Sequence, residues 1–527
     1  MAVPAFGLSA GGRYNGLARF RHVGRAWAGT DRLVNGRKTI YLETMGCQMN
    51  VLDSELVLGR LRALGYEPIA DMTEADVVLI NTCSVRDHAE QKVLSRLGAL
   101  KKSKARRPEM VVGVIGCMAE RDPDGIFSKM PHVDLVCGPG ELNKVPALIE
   151  EVQATRGRAI ALAQLLSRKN TPLARALEHD SIEALDLSRD PSPGGSVLQS
   201  YIRVQRGCDK FCTFCVVPFT RGPERSRPPS QIADEAKMLA DRGAKEVTLL
   251  GQTVNSYVHP ENGRAVRFAE LLERVSGVPG IERVRFVTSY PGDFTDDILE
   301  AMRDLPKVCE YLHIPVQSGS DAVLQRMRRQ YGVTQYIELI DRARAYVPDL
   351  AVASDFIVGF CGETEADHEA TMQLIERCRF KNIFVFKYST RPGTVADKRM
   401  EDDIPESDKR RRNIELLALQ ERISAAANQR MIGQSVEVLV EGYSKAALKA
   451  QEAEQTRGEE IGWRRSDQLV GRTRQDQIVV FHGGTEHIGR FAAVRVTAAT
   501  ALTLHGELVG STSVRRSDSP AGAPPDG

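Results

Sequence analysis

The run Gly207-Cys208-Asp209-Lys210-Phe211-Cys212-Thr213-Phe214-Cys215 constrains this chain more than any other. Its spacing is Cys-x-x-x-Cys-x-x-Cys, and no fourth ligand lies close by. The next cysteine is Cys309 and the next histidine is His259. A structural zinc site closes with four ligands. A [4Fe–4S] cube can take three thiolates from one tight loop and keep its fourth iron open to a small molecule. Phe211 and Phe214 are placed to wall such a cluster from water. Arg206, Lys210 and Arg221 are placed to offset its charge, and both effects tune a cluster's potential. The bland alternative is a zinc knuckle that borrows a ligand from elsewhere.

The 527 residues allow two to four domains. Hydrophobic residues make up 42% and charged residues 27%, the profile of a soluble globular protein. No apolar run approaches the ~18 residues of a membrane-spanning helix. A net charge of +2 gives no nucleic-acid signal by itself. Ten cysteines in a chain this long, with no apolar signal segment in residues 1–36, fit a reducing cytoplasm and metal-bound thiols better than disulfides. Residues 1–38 carry seven basic groups against Asp31 alone. An organellar transit peptide, a disordered basic arm and a mis-assigned upstream start are all open. The lack of an amphipathic period favours the latter two.

The chain divides into a basic arm (1–37), an α/β domain (38–153), a linker (154–196), a βα-repeating domain (197–428), a small β barrel (431–511) and a disordered tail (512–527). In the first domain Thr39–Thr44, Asp76–Asn81 and Met110–Ile115 read as strands, the last two as buried parallel ones. Leu56 to Leu64 has helical spacing and ends at Gly65. The third domain offers strands at Val247–Leu250, Val284–Thr288, Tyr311–Val316, Ala353–Val358 and Ile383–Tyr388, and a parallel barrel gathers its site at one end. Ser230 is the expected cap of the helix after the cysteine loop, which ends at Gly243. Residues 406–430 read as a helix. Beyond Met431 short glycine-separated β segments point to a barrel. Met431 to Gly510 holds ten acidic and nine basic residues. There Arg464, Arg465, Arg472 and Arg474 are as consistent with a solvated face as with a phosphate track.

Each of the three strands of the first domain runs into a cysteine: Cys47, Cys83 and Cys117. Ligand sites in open parallel sheets form beyond the carboxyl ends of the strands, so three thiols delivered there can converge. Singly, each is as easily a small buried hydrophobe. Together, in the turns Gly46-Cys47-Gln48, Thr82-Cys83-Ser84 and Gly116-Cys117-Met118, they point to a second three-thiol cluster. Cys137, Cys309, Cys361 and Cys378 read as core thiols, with Cys309 and Cys361 nearer the barrel mouth.

The Cys208–Cys215 loop resembles that of the radical S-adenosylmethionine (SAM) enzymes. In them SAM chelates the open iron and is split by one electron. Strand-end residues that could hold SAM are Gly251, Gln252, Thr288, Ser289, His313, Gln317, Asp355 and Gly359. Each is equally a polar strand tip.

Over residues 38 to 511 the chain resembles the methylthiotransferases of the MiaB family. The resemblance is carried by Met45-Gly46-Cys47-Gln48-Met49-Asn50, Asn81-Thr82-Cys83-Ser84-Val85-Arg86, Gly116-Cys117 and Arg206 through Cys215. It extends through Pro218-Phe219-Thr220-Arg221-Gly222, Gly251 through Tyr257, His313 through Ser320 and Tyr388 through Thr394. It implies an N-terminal methylthiotransferase domain, a radical SAM core that is a partial (β/α) barrel, and an all-β TRAM barrel that grips RNA. It also implies two [4Fe–4S] clusters, one on Cys208, Cys212 and Cys215 and an auxiliary one on Cys47, Cys83 and Cys117. The implied reaction places a methylthio group on C2 of N6-isopentenyladenosine at position 37, in the tRNA anticodon stem-loop. An external electron donor and a sulfur source are required, and a monomer is expected. Phe360-Cys361 stands where the family usually has Phe-Pro. Sister groups modify threonylcarbamoyl-adenosine in tRNA or a ribosomal protein aspartate, and Gln48-Met49-Asn50 fits the isopentenyl-adenosine group best. Other classes are a non-catalytic RNA-binding protein with structural clusters and a zinc-binding RNA chaperone.

Overall fold

The computed structural model describes residues 37–83, 87–163, 189, 197–457 and 467–509. Two compact units result, one reaching Leu419 and the other starting at Gln420.

The first sheet is built from Thr39–Met45 (β1), Glu67–Pro68 (β2), Val77–Thr82 (β3), Val111–Gly116 (β4), Leu135–Cys137 (β5) and Ala159–Ala161 (β6). All six are parallel, in the order β2-β1-β3-β4-β5-β6. β3 and β4 are buried along their whole length, as strands covered on both faces should be, the polar Asn81 and Thr82 at the end of β3 included. Helix Gln48–Ala63 (α1) packs on one face, and helix Asp87–Arg106 (α2) follows β3. α1 starts eight residues earlier than the Leu56 to Leu64 period shows. Its first turns are buried too, so no one-sided stripe marks them. Gly65 does end this stretch, at φ +86°.

The range read as a linker is not featureless. β6 adds a strand beyond residue 153. Within the same range Arg189 is fully buried and pairs with Glu55 of α1 at 3.6 Å and with Glu235 at 3.4 Å. Of the basic arm, the linker and the tail, residues 1–36, 164–188, 190–196 and 512–527 lie outside the described residues.

The second half of this unit holds six parallel strands. Gln199–Arg203 (β7), Glu246–Leu250 (β10) and Arg283–Val287 (β13) form one ladder, ordered β13-β10-β7. Tyr311–His313 (β14), Ala351–Val358 (β15) and Asn382–Lys387 (β16) form another. Cys309 N donates to Val284 O at 2.9 Å and Ser289 N to His313 O at 3.0 Å, which joins the ladders between β13 and β14. This is a partial (β/α) barrel. Short antiparallel pairs, Gln205–Arg206 (β8) with Arg225–Ser226 (β9) and Val258–Glu261 (β11) with Arg264–Arg267 (β12), lie between its strands in sequence. The five expected strands are all present within two residues at their starts, though β14 stops at His313 rather than Val316. Helix Pro229–Asp241 begins on Pro228, so Ser230 lies inside its first turn and does not cap it.

Helix Glu406–Gln429 carries the chain into the second unit. There Ser435–Tyr443 (β17), Gln468–Arg472 (β18), Ile478–His482 (β19), Phe491–Ala499 (β20) and Thr503–Leu508 (β21) close a five-stranded barrel. Val438, Val440, Leu469, Val479, Phe481, Val494, Val496 and Leu504 fill it. Among the described residues no helix is long and apolar enough to cross a membrane.

Candidate functional site

Sheet register delivers the first triad. Met45 is level with Thr82, and Thr82 with Gly116, across three neighbouring strands. The residues just beyond that level are Cys83, Cys117 and, after Gly46, Cys47. Cys83 N donates to Met45 O at 3.0 Å. Cys47 caps α1 and Cys117 opens the helix Cys117–Arg121, so two of the three thiols sit where helical N–H groups favour negative charge. The Cys47 thiol is lowered to about 6, first by its hydrogen bond with Cys83 and then by the charge of Arg221. Burial raises Cys117, against the pull of Arg221. Asn50 and Asn81 brace the turns: Asn50 Nδ2 donates to Asn81 Oδ1 at 2.9 Å and to Thr82 O at 3.2 Å.

Gly116 shows why this turn has no room for a side chain. Its φ is +96°, and a Cβ there would lie 2.3 Å from Asn81 Oδ1 and 2.7 Å from the carbonyl oxygen of Thr82. Gly116→Ala is expected to cost about 1–3 kcal/mol from backbone strain alone. Thermal unfolding should show the loss, and iron retained per chain should fall as Cys117 is displaced.

The second triad lies on the loop after β8. Gly207, at φ +74°, passes so close to Pro223 that a Cβ would sit 1.9 Å from its carbonyl oxygen. Val217 N donates to Cys215 Sγ at 3.4 Å, and Arg329 Nη1 to Cys212 Sγ at 3.4 Å. Burial, with repulsion from neighbouring thiolates, pushes Cys208 to about 11 and Cys215 to about 12. Those protons leave when a metal binds. Phe214 packs edge-on to Phe360 at 6.2 Å, beside Cys361 and Tyr388, and shields this side of the loop. Phe211 does not: it is 52% exposed, in a left-handed turn at φ +47°.

The cations expected to serve this loop divide between two places. Lys210 pairs with Asp293 and lies 4.8 Å over the Tyr290 ring. Arg329, which sequence reading missed, covers the same ring at 5.3 Å. Arg221 goes elsewhere, to Asp53 of α1 at 2.8 Å, from where its charge favours the Cys117 thiolate. It therefore serves the other triad.

The barrel's strand ends carry a connected polar chain. Thr288 N donates to His313 Nδ1 at 3.2 Å, and His313 Nε2 meets Asp355 Oδ1 at 3.1 Å. Gln317 N donates to Asp355 O at 2.9 Å. Thr288 and Gln317 both hold positive φ, +69° and +80°, a conformation that costs energy and clusters at ligand sites. Gly251 has no Cβ where one would stand 3.2 Å from Gln205 Oε1. Gln205 Nε2 and Oε1, Gln252 Oε1 and Ser289 Oγ are buried without a partner among the described residues. Unsatisfied buried groups of this kind ask for a ligand or water. Gly359 stands apart: its N–H is spent on Glu363 Oε2 at 2.5 Å, and a Cβ would strike Lys409. Cys137, Cys309, Cys361 and Cys378 are buried core thiols. Cys309 enters β14 from its amino end and so lies away from the site, contrary to the expectation for it.

In the barrel of the second unit Arg472 is paired with Glu441 at 3.1 Å and Asp476 at 2.8 Å, so it is not a free phosphate contact. Arg464 and Arg465 lie outside the described residues.

Residues 39–138 match the uncharacterized protein family UPF0004, 202–375 the radical SAM superfamily and 459–509 the TRAM domain. A tRNA-2-methylthio-N(6)-dimethylallyladenosine synthase of Rhodopirellula baltica is 48% identical over 485 residues, 90% of this chain and 96% of that protein. The chain belongs to this synthase family. Proteins of the same name from Bacteroides thetaiotaomicron and from Thermoanaerobacter sp. strain X514 are each 42% identical over 90% of the chain, covering 96% and 94% of their own lengths. In this chain the first matched domain contains Cys47, Cys83 and Cys117, and the radical SAM domain contains Cys208, Cys212, Cys215 and the strand-end chain. Radical SAM membership brings one [4Fe–4S] cluster and SAM with it. The donor chemistry fits: three thiols on one turn, charge-assisted donors to them, and buried polar atoms left open at the strand ends.

Proposed function

We propose that this chain inserts a methylthio group at C2 of N6-isopentenyladenosine at position 37 of tRNA. It works as a cytoplasmic monomer, supplied by an external electron donor and sulfur source. Cys208, Cys212 and Cys215 hold the cluster that meets SAM, and Cys47, Cys83 and Cys117 hold an auxiliary [4Fe–4S] cluster. When bound, these groups supply one-electron cleavage of SAM and a sulfur atom for transfer, chemistry that a strong and weakly acidic aromatic C–H requires.

The chain's own residues prepare the place. Gln205, Gly251, Gln252 and Ser289 offer room and open hydrogen-bonding capacity at the ends of β7, β10 and β13. Thr288, His313, Gln317 and Asp355 fix the ends of β13 to β15 as one linked set. Gly359 shapes the loop after β15. Met49, Leu52 and Leu56 of α1 pack on Leu250, with Cys47, Tyr201 and Val287 at the edge of that contact, so the auxiliary triad borders the barrel's strand ends. An unstacked anticodon-loop base can be brought to such a site at modest cost. The TRAM barrel, spanning 431–511, holds the RNA.

What supports this reading is the register that ends β1, β3 and β4 level beside Cys47, Cys83 and Cys117, and the single loop that carries Cys208, Cys212 and Cys215. Nucleosides from tRNA of a strain lacking the gene test it. Methylthiolated isopentenyladenosine should vanish, with the unmethylthiolated nucleoside accumulating, and this chain should restore it. Persistence of the methylthiolated nucleoside in the deletion strain would exclude the assignment.

A further inference from the structure

Arg221 lies only six residues after Cys215 in sequence, yet its side chain belongs to the other triad. Nη2 donates to Asp53 Oδ2 at 2.8 Å, and the two side chains are 5% and 1% exposed. Asp53 follows Cys47 by six residues on α1. Arg203, entering from β7, stands 3.9 Å from Asp53 Oδ1 and shares that carboxylate. The turn Val217–Thr220 that leads to Arg221 packs against the helix Cys117–Arg121, and the Arg221 charge acts on Cys117 and Cys47 as well as on Asp53.

Packing alone is a poor account of this arrangement. Desolvating a guanidinium and a carboxylate costs several kcal/mol each, and a hydrophobic pair of the same volume would serve a plain domain contact at least as well. A buried cation does have a use beside three thiols that must be ionised together. A [4Fe–4S] core held by three thiolates is net negative, and anionic sulfur on its open iron makes it more so. Hydrogen bonds and charge around the sulfurs are among the main determinants of a cluster's potential.

We infer that Arg221 is a positioning residue for the auxiliary cluster, its charge setting how readily that cluster is reduced, and that Asp53 orients and partly offsets it. The inference rests on assigning Cys47, Cys83 and Cys117 to that cluster. Arg221 and Cys215 are joined through the single helical turn Val217–Thr220, whose first N–H is on Cys215 Sγ. One short piece of backbone therefore touches both triads.

The test uses the full chain carrying Cys208→Ala, Cys212→Ala and Cys215→Ala, reconstituted with iron and sulfide without oxygen, so that only the auxiliary cluster is read. Iron and sulfide are counted, and the potential is titrated by electron paramagnetic resonance. Arg221→Gln removes a cation and should disfavour reduction at least about tenfold, 59 mV for one electron. Asp53→Asn removes an anion and should shift the potential the opposite way. Arg221→Lys should restore most of the native value. Opposite shifts support the inference, since loss of a mere domain contact has no reason to give opposite signs. Unchanged potentials, or shifts of the same sign, at full iron content would overturn it. If Arg221→Gln holds no cluster while Arg221→Lys holds one at native potential, the charge role stands; if neither holds one, it falls. A parent chain that takes up no cluster would overturn the auxiliary assignment together with this inference.

Discussion

Replacing Cys212 with alanine is expected to abolish the cleavage of SAM to 5′-deoxyadenosine. Two thiols would remain on the loop, and a cube that already leaves one iron open cannot spare a second protein ligand. The change also strands Arg329. Its Nη1 loses the Cys212 sulfur, while Nη2 still donates to Pro315 O at 3.2 Å. A buried guanidinium N–H left without an acceptor costs more than the bond that is lost. Activity should fall below roughly a thousandth of the native rate, a barrier increase of about 4 kcal/mol or more. The measurement is 5′-deoxyadenosine formed by reduced protein with SAM, alongside iron per chain. Undiminished cleavage by the variant would remove Cys208, Cys212 and Cys215 as the ligand set.

Cys83→Ala should separate the two halves of the reaction. Cys83 follows β3, at the sheet edge that gathers the first triad, and its partner is Cys47. The hydrogen bonds that link the strand-end chain from Thr288 to Asp355 run between its own members. SAM cleavage should stay within a few fold of native, while methylthiolated product falls by roughly a thousandfold or more, again about 4 kcal/mol. Assaying both products in one reaction controls for folding. A Cys83→Ala chain that still methylthiolates RNA would show that the sulfur comes from elsewhere.

Much of this architecture can be read from the sequence. Residues 77–80 and 111–115 are apolar runs because both faces of their sheet are covered, and such runs have few alternative folds. That a cysteine follows each of β1, β3 and β4 is visible in one dimension, and parallel register turns it into proximity. The strand tips Thr288, His313 and Gln317 stand out for the same reason. Other features leave no local mark. β6 has three residues, too few to establish an alternation. Phe211 looks like a shield by composition, but its left-handed turn carries the ring outward. Ser230 has a capping side chain, yet Pro228 and Pro229 start the helix before it. The partner of Arg221 is 168 residues away, on a different domain, and no spacing rule reaches that far.

That last pairing bears on how such proteins can diverge. The two catalytic domains look interchangeable when laid out as segments, but each holds half of one buried ion pair. Changing Asp53 alone takes from Arg221 and Arg203 the carboxylate they share, and changing Arg221 alone leaves Asp53 with Arg203 at 3.9 Å. A domain exchanged between lineages therefore preserves this buried contact only if it brings the matching charge to that position.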